Sequence, residues 1–151
     1  MPRAAAIPRR HLVILTCMDV RIEPERVLGL TVGDAHILRN AGAVVSEDVL
    51  RSLVLSQRLL ETRAVAIVAH TDCGLDGLDA SKLTRALTAE AGREPPFAFA
   101  GFTDVEAHVH EQVARVEQCA WLQQVDDVRG YVLDVDRGDL RQVAGSEETP
   151  F

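Results

Sequence analysis

With 151 residues, 47% of them hydrophobic, the chain has material for one well-formed core and too little for two. Charged residues make up 26%, near the globular average, which excludes a disordered chain. The net charge of −7 and the scatter of Lys and Arg exclude an electrostatic footprint for nucleic acid or an anionic membrane.

No apolar run approaches the roughly 20 residues of a membrane span. The stretch Leu12 to Leu15 that follows the basic N-terminus is too short for a secretory signal. A cytoplasmic location is expected. Three cysteines, an odd number, argue against a disulfide framework. In a reducing compartment, thiols at special positions are more often catalytic or metal-binding than bridged.

Taken along the chain, Leu12 to Thr16 is a continuous apolar run, the pattern of a strand buried on both faces. Pro24 opens a short helix carrying Val27, Leu28 and Leu30. Ala35 to Leu38 reads as a second strand. Ser46 is placed to cap a helix whose first turn holds Glu47 and Asp48, with Val49, Leu50, Leu53, Val54 and Leu60 on one face. Ala64 to Ala69 is a third strand.

Beyond a Gly- and Asp-rich turn, Ser81 to Ala91 is expected to be helical, and Glu94 to Gly101 a loop. Thr103 and Glu106 form a capping-box pattern, followed by Val105, Val109, Val113, Val116 and Ala120 on one stripe. Tyr131 to Val135 reads as a fourth strand, and Leu140 to Val143 as a fifth. Alternating strands and helices imply an α/β fold: a mostly parallel central sheet of about four strands plus a short fifth edge strand, flanked by helices. Residues 1–151 are read as a single domain.

Two stretches carry chemistry. Cys17-Met18-Asp19-Val20-Arg21 begins where the first strand ends, and His70-Thr71-Asp72-Cys73-Gly74 where the third ends. Ligands of open parallel sheets bind beyond the carboxyl ends of the strands, so the two stretches face each other if these strands are neighbours. His70 and Cys73 are three apart, and one turn can aim both at a point; Cys17 completes a Cys₂His set. Three protein ligands leave a position for water or substrate, and thiolates with imidazole favour Zn²⁺ over magnesium or calcium.

Two thiolates cancel the charge of Zn²⁺, so a water bound there ionises less readily than at a three-histidine zinc, where its pKa is about 7. A carboxylate at Asp19 could orient the resulting hydroxide, with Arg21 holding it off the metal in a bidentate pair. Alternatively, Asp19 could itself be the fourth metal ligand in a closed state. Extended, Cys17 to Arg21 would span about 13 Å, so the segment must curl for all three residues to serve one site.

These motifs carry a resemblance. C-M-D-V-R, G-D-A-H-I-L-R-N-A-G, S-L-x-x-S-Q and H-T-D-C-G, in this order and spacing, resemble the beta-class carbonic anhydrases, especially the small, short-armed members. The closing R-G-Y-V-L-D-V is similar to the family's last strand. The resemblance implies zinc on Cys17, His70 and Cys73, and an Asp19–Arg21 dyad. It implies a zinc hydro-lyase that reversibly hydrates CO2 to bicarbonate with a zinc-bound hydroxide. It further implies a homodimer, or a dimer of dimers, with sites at the subunit interface.

Asp34, Arg39, Asn40 and Gly42 match a family segment that helps build the site. Ala69 stands where a second His is common, Leu75 where Met is frequent, and Ala43 and Glu61 where many members have Gly. Related small members act on carbonyl sulfide or CS2 with the same ligands, which leaves that hydrolase as the nearest alternative. A catalytically silent zinc-bound interaction module, with Asp19 on the metal, is another.

The remaining candidates have plainer readings. Cys119 is a buried small hydrophobe of the long helix. His36, His108 and His110 are structural or surface residues, and His11 has no evident partner. Trp121 and the valines belong to the core or a subunit interface. Glu90, Arg93 and Glu94 form a solvated face.

Overall fold

The computed structural model describes residues 6–122 and 125–146. Strands β1 (Leu12–Cys17), β2 (Ala35–Asn40), β3 (Ala64–His70), β4 (Asp127–Leu133) and β5 (Leu140–Ala144) form one sheet in the order β2-β1-β3-β4-β5. The first four run parallel, and β5 returns antiparallel along β4. This is the expected mostly parallel α/β sheet with its short edge strand.

Strand alternation sorts the core into two layers. Val13 and Leu15 of β1, Val65 and Ile67 of β3, and Val128 and Val132 of β4 face helices α2 (Glu47–Leu60) and α4 (Val105–Glu117). Leu12 and Ile14, Ala66 and Val68, and Tyr131 and Leu133 pack on the other face, toward Ile22 and the short helix α1 (Pro24–Val27). A helix α3 (Ala80–Ala91) buries none of its residues. Gly130 lets α4 come close: a Cβ there would collide with Val109.

Ser46 caps α2 as expected, its Oγ accepting from Val49 N at 3.3 Å. The helix ends at Glu61, in left-handed conformation (φ 61°). Ala43 is also left-handed (φ 54°). Both departures from the family's glycines are thus at positions where glycine would be unstrained.

Several sequence expectations need correction. The cap of α4 is Asp104, not Thr103: its Oδ1 accepts from Glu106 N and Ala107 N at 2.9 and 3.1 Å. A carboxylate one residue later reaches the same orphan amides, so the Thr103–Glu106 box is not used. The helix ends at Glu117, which leaves Cys119 and Ala120 beyond it; Cys119 is only half-buried against the core. Of the two readings of Trp121, its 72% exposure rules out the core. His11 does have a partner, its Nδ1 lying 2.8 Å from Glu61 O. The fourth strand begins at Asp127 rather than Tyr131, because β3 pairs with it from Ala64 onward.

Candidate metal centre

In this topology β1 departs toward β2 on one side and β3 on the other, so the crevice beyond their carboxyl ends is the switch point of the sheet. Cys17 is the last residue of β1, and His70 the last of β3. A turn then brings Cys73 back: Asp72 is left-handed (φ 52°), and Asp76 N donates to Cys73 O at 2.9 Å. The sulfurs of Cys17 and Cys73 and the ligating nitrogen of His70 all lie within 4.8 Å of one another, and all three residues are buried.

This donor set fits a zinc ion. His70 Nδ1 lies 2.8 Å from Thr71 O, and a carbonyl only accepts, so the proton is on Nδ1 and Nε2 presents a lone pair. Nε2 is fully buried yet has no hydrogen-bond partner among the described residues. Such an atom costs stability unless something occupies its lone pair. Two thiols beside it supply the soft donors that zinc prefers. Burial pushes the Cys73 thiol up, and the nearby Cys17 adds to this. A divalent cation is what would make such a pair of buried thiolates tolerable.

The segment after Cys17 curls as its reach required: Met18 N still donates to Asn40 O, then Ile22 N donates back to Asp19 O at 3.1 Å. That turn sets Asp19 beside the three donors, its Oδ2 3.9 Å from His70 Nε2. Arg21 grips both carboxylate oxygens, Nε to Oδ1 at 2.9 Å and Nη2 to Oδ2 at 2.8 Å. The guanidinium and its backbone N–H hold the Asp19 carboxyl well below the usual carboxylate range. Arg21 is itself tethered from the other stretch, Nη1 to Asp72 Oδ2 at 2.8 Å and Nη2 to Asp72 O at 2.9 Å. Asp72 was not singled out from sequence, where it is one more acid in a turn.

The residues of segment 34–42 divide. Arg39 donates to Cys17 O (3.0 Å) and Asp19 O (2.7 Å), and Asn40 closes the following loop through Val44 N and O. Gly42 N points at Cys17 Sγ, 3.4 Å away. Asp34 does not join them. It precedes β2 at the opposite end of the sheet, about 20 Å of strand from Asn40, and binds Arg9 and Thr31. His36 is structural, bonded to Ser56 and Ala6, and His110 is exposed.

Comparison with known proteins agrees with this geometry. The carbonic anhydrase family model matches residues 12–140. The chain belongs to the carbonic anhydrase family, in its beta class. It is 39% identical over 136 residues to beta-carbonic anhydrase 1 of Mycobacterium tuberculosis, covering 90% of this chain and 83% of that one. A carbonic anhydrase structure from Streptococcus mutans superposes with a TM-score of 0.85 at 37% identity, over 92% of this chain and 84% of that one. A carbon disulfide hydrolase of Saccharolobus solfataricus is 46% identical, but over 74 residues only, covering 48% of this chain and 36% of that protein. This beta-class chain is therefore similar to lyases and to hydrolases built on one fold.

Proposed function

We propose that the protein catalyses reversible hydration of CO2 to bicarbonate at a zinc ion held by Cys17, His70 and Cys73. The observation that carries this is the buried lone pair of His70 Nε2, unpartnered between two buried thiols and beside an arginine-clamped carboxylate. When bound, zinc supplies a Lewis acid that makes water nucleophilic near neutral pH.

The chain's own residues do the rest. Asp19, kept ionised by Arg21, is acceptor-only, so an Oδ atom takes a hydrogen bond from the attacking oxygen and aims its free lone pair. A carbon–oxygen bond forms to CO2, one C=O electron pair moves onto oxygen, and the proton released from water passes to solvent. Arg21 serves as a positioning residue: with two donors on Asp19 and two on Asp72, it keeps the carboxylate off the metal. Asp19 would ligate only if that clamp opened. The clamp supports the catalytic reading over the silent interaction module.

Zinc content and rate distinguish the readings. The wild type is expected to carry one zinc per chain and to hydrate CO2, and Cys17→Ser or Cys73→Ser to lose both. Full activity in a zinc-free preparation would overturn the assignment. The carbon disulfide hydrolase relatives favour a second reading, hydrolysis of CS2 or carbonyl sulfide at the same residues. Hydrogen sulfide release from those substrates, with CO2 turnover at the buffer rate, would select it.

The whole chain is read as one such domain, acting as a homodimer. Met18 and Val20, 64% and 97% exposed on the segment that carries Asp19 and Arg21, and Val32, 86% exposed ahead of β2, support the dimer. Light scattering is expected to give twice the chain mass, and Val32→Asp to shift it toward the monomer. No helix among the described residues is long and apolar enough to cross a membrane.

A further inference from the structure

Helix α4 buries two polar side chains one turn apart, His108 and Gln112, at 7% and 2% exposure. Neither belongs to the metal centre, and burying both is costly unless each is satisfied. Their partners lie in the loop that follows β2. His108 Nε2 lies 2.8 Å from Gly42 O, and Gln112 Oε1 accepts from Val45 N at 2.8 Å.

The acceptor fixes the proton. Gly42 O cannot donate, so Nε2 carries the hydrogen and Nδ1 is left as acceptor. Gln112 Nε2 is 3.5 Å from Nδ1 and donates to it, which agrees with Oε1 facing the Val45 amide. Phe102 stacks on the imidazole with centroids 4.3 Å apart. Arg115, on the same helix, adds a hydrogen bond to Val45 O. The loop is therefore clasped by α4 on one side and by Asn40 on the other.

The loop's product is one oriented amide. Gly42 N–H faces Cys17 Sγ at 3.4 Å, in a buried contact. Gly42 has φ +82°, a backbone conformation that residues with a side chain rarely adopt, and a Cβ on it would also displace Leu75 Cδ1. An N–H aimed at a thiolate stabilises its negative charge where no water can do so.

We propose that His108 and Gln112 are positioning residues for the metal centre: they hold the Gly42 peptide so that its N–H stays on the Cys17 sulfur. This rests on the reading of Cys17 as a metal ligand. Removing the clasp leaves a more electron-rich, less well-placed thiolate.

The test uses full-length protein loaded with Co²⁺, whose thiolate-to-metal charge-transfer band reports on sulfur directly. Affinity is read by competition with a chromophoric chelator. His108→Phe keeps an aromatic ring on Phe102 but removes the donor. The band is expected to move to lower energy and Co²⁺ affinity to fall about tenfold. His108→Gln, which puts an N–H near the place of Nε2, is expected to restore both. Gln112→Met provides the same test, with a smaller shift, if the phenylalanine variant does not fold.

A purely structural role would lower thermal stability without moving the band. Folded variants with the wild-type band and affinity would overturn this inference and leave the metal assignment intact. A wild type that binds Co²⁺ with no thiolate band would overturn both.

Discussion

Replacing Glu61 with glycine is expected to stabilise the fold, while the same change at Ala43 gives little or nothing. Both residues are left-handed, at φ 61° and 54°. Forcing an L-residue into that region costs roughly 1–2 kcal/mol. Glycine escapes this but loses more backbone freedom on folding, about 0.5–1 kcal/mol relative to alanine. At exposed Glu61 the balance is a gain of about 0.5–1 kcal/mol. Its polar contacts survive, since His11 and Ser56 bind its backbone and not its carboxylate.

Ala43 differs in one respect: it is fully buried in the core beside Val45 and Val49. Deleting its methyl group removes about 0.8 kcal/mol of burial, which cancels most of the relief. For a chain of this size, 1 kcal/mol moves Tm by about 2–4 °C. Calorimetry is expected to show Glu61→Gly about 1–4 °C above wild type and Ala43→Gly within about a degree of it. A Tm lowered by Glu61→Gly, or an equal rise at both positions, would refute the reasoning.

Other outcomes follow from single contacts. Arg21→Ala frees Asp19 from its clamp, and CO2 hydration is expected to drop about tenfold or more at neutral pH; an unchanged rate would remove Arg21 from the mechanism. Asp104→Ala is expected to cost about 1 kcal/mol in denaturant unfolding, and Thr103→Ala under about 0.5 kcal/mol, because Asp104 alone caps α4. The backbone amide and hydroxyl of Thr31 and the Arg9 guanidinium lower the Asp34 carboxyl. The sign is that of a depressed acid: its stabilisation is present above the unfolded value of about 3.9 and is lost as pH falls through the lower folded value. Asp34→Asn is therefore expected to be less stable than wild type at neutral pH, with the gap closing below about pH 4.

Much of this architecture is legible in sequence because the strands are buried on both faces. Leu12–Cys17 and Ala64–His70 read as unbroken apolar runs, and the polar residues that end them are the metal-ligating types. Local signals failed where tertiary contacts decide. Asp104 outcompetes Thr103 for the same amides, and β4 starts early because β3 offers it partners.

The clasp of His108 and Gln112 was invisible for a related reason. Two polar residues beside a valine stripe look like the edge of a solvated face until the loop they grip is laid across them. Asp34 erred the other way. It is the second residue of the G-D-A-H-I-L-R-N-A-G motif, but strand geometry carries it to the far end of the sheet.

Stopped-flow CO2 hydration by protein of known zinc content tests the central claim most directly. The account predicts a rate proportional to zinc occupancy, saturating at one ion per chain and abolished in Cys73→Ser. A fully zinc-loaded protein that hydrates CO2 no faster than buffer would contradict it.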